Sequence, residues 1–184
     1  SAHKMYGPTG VGVLYGKKDI LEKMPPYHGG GEMIKEVKFE GSTYNDLPFK
    51  FEGGTPNIAG GIGLEAAIRF MEEVGVENIA QQEADLLAYA TAKLKAIGGI
   101  RFIGEAKNKA GLVSFIMEGI HPYDAGSTLD KLGVAIRTGH HCAQPVMDRF
   151  GVPGTMRASF AVYNTKEEID VFIADIERVK LMFG

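Results

Sequence analysis

The chain has 184 residues, 45% hydrophobic and 23% charged, with a formal net charge of −3. That length holds one ordinary domain with a real core, or one domain plus part of another, and the composition excludes a disordered chain. The small charge without like-charge blocks argues against a nucleic-acid surface or a polybasic membrane patch, no apolar run reaches membrane-spanning length, and no signal-peptide pattern opens the chain.

The sequence opens Ser1-Ala2-His3-Lys4, without methionine, and runs at once into Val11-Gly12-Val13-Leu14-Tyr15, a buried-strand pattern. A free-standing domain rarely starts inside its core sheet, so the chain reads as part of a longer protein. Asp19–Lys23 is a short helix stopped by Pro25-Pro26. Gly29-Gly30-Gly31 followed by the alternation Met33 to Phe39 suggests a glycine-hinged hairpin. Thr55-Pro56-Asn57 starts a helix, with Thr55 as cap, the stripe Ile58, Ile62, Ala66, Phe70 and Val74 as core, and Gly75 as terminator. A second helix has Ile79, Leu86, Leu87, Ala90, Leu94 and Ile97 on one face and ends at Gly98-Gly99.

Strands then alternate with helices. Arg101–Ile103, Leu112–Met117, Val134–Arg137 and Met156–Val162 are strand-like, whereas Tyr123–Leu132 and Gln144–Phe150 are helical. Thr165 with Glu168 forms a capping box for a last helix with the stripe Ile169, Phe172, Ile173, Ile176, Val179 and Phe183. The fold class is α/β, and the domain boundary falls near Gly98: residues 1–98 read as the end of a large domain, residues 99–184 as a small α/β domain.

Four groups of residues offer chemistry. Lys4, in a Ser-x-His-Lys turn beside a glycine-rich segment, can be an imine-forming amine, which must be unprotonated to attack; the alternative is a solvated surface lysine. Ser1 and His3 offer donors to a phosphate. Cys142, the only cysteine, sits in Arg137-Thr138-Gly139-His140-His141-Cys142-Ala143. It cannot form an internal disulfide, so a reducing cytoplasm is its natural setting. Two histidines and an arginine would favour the thiolate, the nucleophilic form, and the alternative is a small buried hydrophobe. Three consecutive side chains rarely converge on one ion, so His-His-Cys makes a poor metal site. Arg157 on an alternating strand shares a face with Ser159 and Ala161, opposite Met156, Ala158 and Phe160. It is shaped to clamp a carboxylate, or it is an edge charge in water; Arg137 carries the same two readings. The triple glycine is a phosphate cradle or a turn, and Thr55 an anion contact or a simple cap.

Taken together, Ser1-Ala2-His3-Lys4-Met5-Tyr6-Gly7-Pro8-Thr9-Gly10, Gly29-Gly30-Gly31-Glu32-Met33-Ile34, Phe51-Glu52-Gly53-Gly54-Thr55-Pro56-Asn57, the Arg137–Ala143 string, and Arg157-Ala158-Ser159-Phe160 with Tyr163-Asn164-Thr165 resemble one family in register. They are similar to the C-terminal half of Suf-type, or group II, cysteine desulfurases and selenocysteine lyases, within the class V aminotransferases. The resemblance implies the C-terminal part of a fold-type-I transferase that works as a homodimer with pyridoxal 5'-phosphate (PLP). By the same resemblance Lys4 would hold PLP covalently and shuttle protons. Ser1 and His3 would help bind the cofactor phosphate, and Thr55 would reach the phosphate of the partner subunit. Arg157 would bind the substrate carboxylate, with Arg137 close to the cysteine loop. Cys142 would take sulfur from L-cysteine as a persulfide, release alanine, and hand the sulfur to an acceptor protein for iron–sulfur cluster assembly.

The family's ring-stacking histidine and the aspartate that pairs with the pyridine nitrogen precede the segment matching Ser1, so residues 1–184 alone are expected to bind PLP poorly and to release no sulfur. Family members carry an acidic residue and a serine flanking the triple glycine, where this chain has His28 and Glu32. Two other functions remain open: a selenocysteine lyase or cysteine-sulfinate desulfinase on the same scaffold, and a non-catalytic dimerisation or folding module.

Overall fold

The computed structural model describes residues 1–184, and packing divides them into two units, Ser1–Glu73 and Val74–Gly184. The division falls ahead of Gly98, where the sequence suggested a boundary, because the helix before that glycine packs on the sheet that follows it.

In the first unit, Ala2–Lys4 makes one 3-10 turn with Ala2 buried beneath it. α1 (Lys18–Lys23) stops at Met24, which is extended ahead of the diproline. β1 (Ile34–Lys38) and β2 (Gly41–Tyr44) pair antiparallel as a hairpin. The expected hairpin is present, but it turns at Phe39-Glu40 and not at the triple glycine, and its second strand, Gly-Ser-Thr-Tyr, has no apolar alternation to read. α2 (Ile58–Val74) is entered through Asn57, whose Oδ1 accepts from the Gly60 amide at 2.9 Å. Thr55 stands in the loop ahead and does not cap it.

Two expectations fail in this unit. Val11–Tyr15 is not a strand: apart from the bond from the Ala2 amide to Val11 O no strand pairs with it, and Val13, Leu14 and Tyr15 are 79%, 73% and 89% exposed. An apolar run becomes a strand only when a neighbour takes up its backbone hydrogen bonds. Nor is the α2 stripe core, for Ile58 and Ile62 are 66% and 65% exposed. The helix instead presses its small-residue side inward, burying Gly60 and Ala67. Gly63 shows why: a Cβ there would stand 2.9 Å from the Pro8 ring, so only a glycine-bearing face admits that approach.

In the second unit most periodicities of the sequence become packed elements, although the strand expected at Val134–Arg137 begins only at Arg137 and the one expected at Met156–Val162 ends at Ser159. The elements are α3 (Val76–Ala96), β3 (Ile100–Phe102), β4 (Leu112–Met117), α4 (Pro122–Lys131), β5 (Arg137–Gly139), α5 (Gln144–Phe150), β6 (Thr155–Ser159) and α6 (Lys166–Phe183). The four strands form one antiparallel sheet in the order β3-β4-β6-β5. Along β4, Val113, Phe115 and Met117 are buried and the residues between them less so, the period-2 signature of a sheet with one covered face. Leu94 of α3, Leu129 of α4 and Phe172, Ile176 and Val179 of α6 close over that face. The capping box stands as expected: Thr165 Oγ1 accepts from the Glu168 amide at 3.2 Å, and the Thr165 amide donates to Glu168 Oε2 at 3.0 Å. Only Phe183 of the last stripe departs, at 49% exposed.

Phe115 lies fully buried at the centre, its ring edge-on to Phe172 with centroids 6.3 Å apart. Phe115→Ala should therefore cost about 3–5 kcal/mol, the transfer of the ring plus the cavity it leaves. The denaturant midpoint of the second unit's transition reads this directly, and a loss below about 1 kcal/mol would mean the site collapses.

Candidate functional site

The sheet face opposite the hydrophobic core gathers the polar residues. Register sets Ser114 of β4 opposite Arg157 of β6, and Arg157 opposite Arg137 of β5. Residues directly opposite each other share a face, so these three lie side by side across three strands. Their face is the reverse of the one holding Met156 and Ala158. Neither arginine has an ion-pair partner among the salt bridges the chain forms, and Arg157 Nε is buried without an acceptor. Two adjacent cationic groups without counter-charge suit an anion that binds from outside the chain.

β5 delivers the chain into the cysteine loop at the edge of this face. The Ala143 amide donates to His140 O at 2.9 Å, and the two residues between, His141 and Cys142, have φ of 54° and 60°. That is the positive-φ pair of a type I′ turn, normally filled by Asn-Gly. For side-chain-bearing residues the left-handed region costs roughly 1–2 kcal/mol each. Room for the turn's approach comes from Gly154, whose added Cβ would fall 3.1 Å from Gly139 backbone atoms. Cys142 ends up exposed, with Arg137 Nη2 3.6 Å from its sulfur. The His-His-Cys run does not converge: His141 turns inward while Cys142 faces out.

His141 is the residue the sequence did not single out. Its Nε2 lies 2.9 Å from Thr155 Oγ1 and 3.1 Å from the Thr155 carbonyl oxygen. Thr155 is fully buried, and its hydroxyl lies 2.6 Å from Ser114 Oγ. Burial holds the His141 imidazole below its ordinary value of 6.5, outweighing the bond to the Thr155 backbone, and the charges of Arg157, Arg137 and His140 push the same way. A neutral ring carrying its proton on Nε2 donates to Thr155, which leaves Nδ1 as the buried acceptor without a partner. Because the folded state disfavours the protonated ring, its contribution to stability is complete above 6.5 and is lost as the pH falls through the depressed folded value. His141→Asn should flatten the acid limb of a stability-against-pH curve, and an unchanged slope would contradict this.

In the first unit Ser1, His3 and Lys4 stand exposed on the 3-10 turn. The turn is fastened from below: the Ala2 amide donates to Val11 O at 3.0 Å and the Gly7 amide to Ala2 O at 2.9 Å. A Cβ on Gly7 would meet Ala2 Cβ at 2.9 Å, and one on Gly12 would come within 3.4 Å of Ser1 Cα. Gly7 is therefore required for the turn to lie where it does, whereas a Cβ at position 12 would make only ordinary contact with Ser1. Thr55 is not on that turn. With Val11, Gly12 and Gly54 it lines an open cleft of about 880 Å³, at whose rim Tyr27 stacks on His28 with centroids 4.6 Å apart. The structure thus brings Arg137, Cys142 and Arg157 together in one unit and Ser1, His3 and Lys4 together in the other.

The chain is thus α/β, with an exposed thiol beside Arg137 in one unit and an amine on a glycine-fitted turn in the other. The aminotransferase class-V family matches residues 1–172, and the chain belongs to that family. A probable cysteine desulfurase of Xylella fastidiosa (strain 9a5c) is 52% identical over 184 residues, covering 100% of this chain and 44% of that protein. A cysteine desulfurase of Pectobacterium carotovorum subsp. carotovorum is 48% identical over 185 residues, with 100% and 45% coverage. The crystal structure of the Escherichia coli cysteine desulfurase CsdA (S-sulfonic acid) superposes with a TM-score of 0.93 at 41% identity, covering 100% of this chain and 46% of that one. The chain therefore spans less than half the length of the relatives it matches.

Proposed function

We propose that this chain is the part of a PLP-dependent cysteine desulfurase that carries the cofactor lysine, Lys4, and the sulfur-accepting cysteine, Cys142. The observation that carries the reading is the thiol loop: the only cysteine is exposed on a turn held at positive φ, with Arg137 on its sulfur and Arg157 unpaired beside it. Similarity to cysteine desulfurases over the whole chain supports it.

The first unit fits the cofactor. An amine, an imidazole and a hydroxyl are displayed together on one turn, and Gly12 leaves the backbone face beside Ser1 free of any side chain. Lys4 would hold PLP covalently, and Ser1 and His3 would donate to its phosphate. Thr55 would serve the cofactor phosphate of the partner subunit in a homodimer. When bound, the cofactor supplies an electron sink for the amino acid's α-carbon.

The rest falls to this chain's own side chains. Arg157 clamps the substrate carboxylate in its planar fork, with Arg137 as the neighbouring charge. Cys142 as thiolate attacks the sulfur of L-cysteine: an S–S bond forms on Cys142, the substrate C–S bond breaks, and its electron pair remains with carbon. A proton delivered by the Lys4 amine completes alanine. The persulfide left on an exposed turn is open to an acceptor protein, and supply of sulfur to iron–sulfur cluster assembly is the expected use. A reducing cytoplasm suits such a thiol.

Incubating the complete protein with PLP, L-cysteine and a thiol reductant should yield alanine and sulfide in equal amounts. Before reductant is added, a persulfide should be found on the Cys142 peptide by mass spectrometry. Alanine formed with no sulfur on that peptide would sink the reading. It would favour selenocysteine lyase or cysteine-sulfinate desulfinase chemistry, in which the leaving group needs no protein acceptor, whereas no turnover of any of the three substrates would leave a dimerisation or folding module. Residues 1–184 alone, lacking the family's earlier cofactor contacts, should bind PLP weakly and release no sulfide.

A further inference from the structure

Two consecutive side-chain-bearing residues in the left-handed region need a restraint that offsets their backbone cost. The turn bond from the Ala143 amide to His140 O, 2.9 Å, is one hydrogen bond on an exposed loop, worth about 0.5–1.5 kcal/mol net. That is less than the roughly 2–4 kcal/mol the pair of conformations costs. Cys142 supplies no inward anchor, since its sulfur is exposed and meets only Arg137. His141 does. Its ring runs from the turn to a fully buried threonine on the neighbouring strand, touching both the hydroxyl and the carbonyl of Thr155. Thr155 is in turn braced by Ser114 from the next strand, 2.6 Å away.

The direction of the hydrogen bonds is consistent along the chain. With its proton on Nε2, His141 donates to Thr155, and the Thr155 hydroxyl keeps its own proton to donate to Ser114 Oγ. Ser114, Thr155 and the ring form a polar strut across β4 and β6 that ends on the residue immediately before the thiol. Gly154 permits β6 to run close enough to Gly139 for the strut to reach.

We propose that the Ser114–Thr155–His141 hydrogen-bond chain locks the turn that presents Cys142, which makes His141 and Thr155 positioning residues for the sulfur-accepting thiol. That Cys142 is this thiol rests on the function proposed above; that the strut holds the turn does not. Thr155→Val keeps the shape of the side chain and removes the hydroxyl, and Thr155→Ser restores the hydroxyl in a smaller residue.

The test is amide hydrogen exchange of the complete protein, followed at the peptide that contains Ala143, with the β4 peptide as the internal reference. Thr155→Val should speed exchange of the turn about tenfold, the scale of one buried side-chain hydrogen bond lost. Ser114→Ala should give a smaller change in the same direction, and Thr155→Ser should stay within about threefold of wild type. Equal exchange in Thr155→Val and wild type would overturn the proposal, as would an increase that Thr155→Ser fails to rescue or one matched by the β4 peptide. In the same variants, kcat for sulfur release should fall with turn opening while KM for L-cysteine holds, because Arg157 is untouched. Faster exchange with an undiminished kcat would leave the strut standing and count instead against Cys142 as the acceptor.

Discussion

Cys142→Ala in the complete protein should abolish sulfur transfer from L-cysteine, by at least about a thousandfold, while PLP remains bound at Lys4. Loss of a nucleophile is among the largest single-residue effects in catalysis, and the chain holds no second cysteine to substitute for it. Alanine, sulfide and protein-bound sulfur would be measured together. Cysteine turnover within about tenfold of wild type would refute Cys142 as the acceptor. Release of selenium or sulfite from the analogous substrates can survive, and its survival separates the related chemistries. The backbone adds a second, independent reading of the same position. At φ of 60°, Cys142→Gly removes the penalty a side chain suffers there, so the inactive glycine variant should be more stable than wild type, by about 1 kcal/mol. A residue that costs stability where glycine would gain it is the pattern expected of a functional position.

Lys4→Arg should be nearly as damaging for a different reason. The guanidinium keeps the positive charge but stays protonated at any working pH and cannot form the covalent link to the cofactor aldehyde. Borohydride reduction followed by peptide mapping should attach PLP to the peptide that contains Lys4 in wild type and not in the variant, and turnover should fall by about three orders of magnitude. PLP trapped on a different lysine of the wild-type protein would displace Lys4 from the role. The turn itself should survive the substitution, since it is held by the Ala2 and Gly7 backbone bonds and by buried Ala2, not by the lysine side chain.

The second unit was legible in the sequence almost element by element, because its amphipathic patterns find their complements within the chain. The stripe from Ile79 to Leu94, the alternation of Val113, Phe115 and Met117, and the Thr165–Glu168 box all appear where periodicity and capping put them. The first unit was legible only in part. Its two helices stand where the sequence put them. Val11–Tyr15 carries the composition of a buried strand and Ile58 and Ile62 that of a core stripe, yet Val13, Leu14, Tyr15, Ile58 and Ile62 are exposed. Pattern states which surface wants burial; only a neighbour of matching shape provides it.

By itself the sequence determined the chemical inventory: one thiol flanked by histidines, an amine in a Ser-x-His-Lys turn, and two arginines in strand-like segments. It also determined the family to which that inventory belongs. Tertiary structure alone decided which of these groups meet. Arg137 and Arg157 become neighbours through antiparallel register, and His141 finds Thr155 and Ser114 on strands distant in sequence. The physical reason is that strand pairing and left-handed turns are fixed by hydrogen bonds between remote segments, so no local window of residues records them.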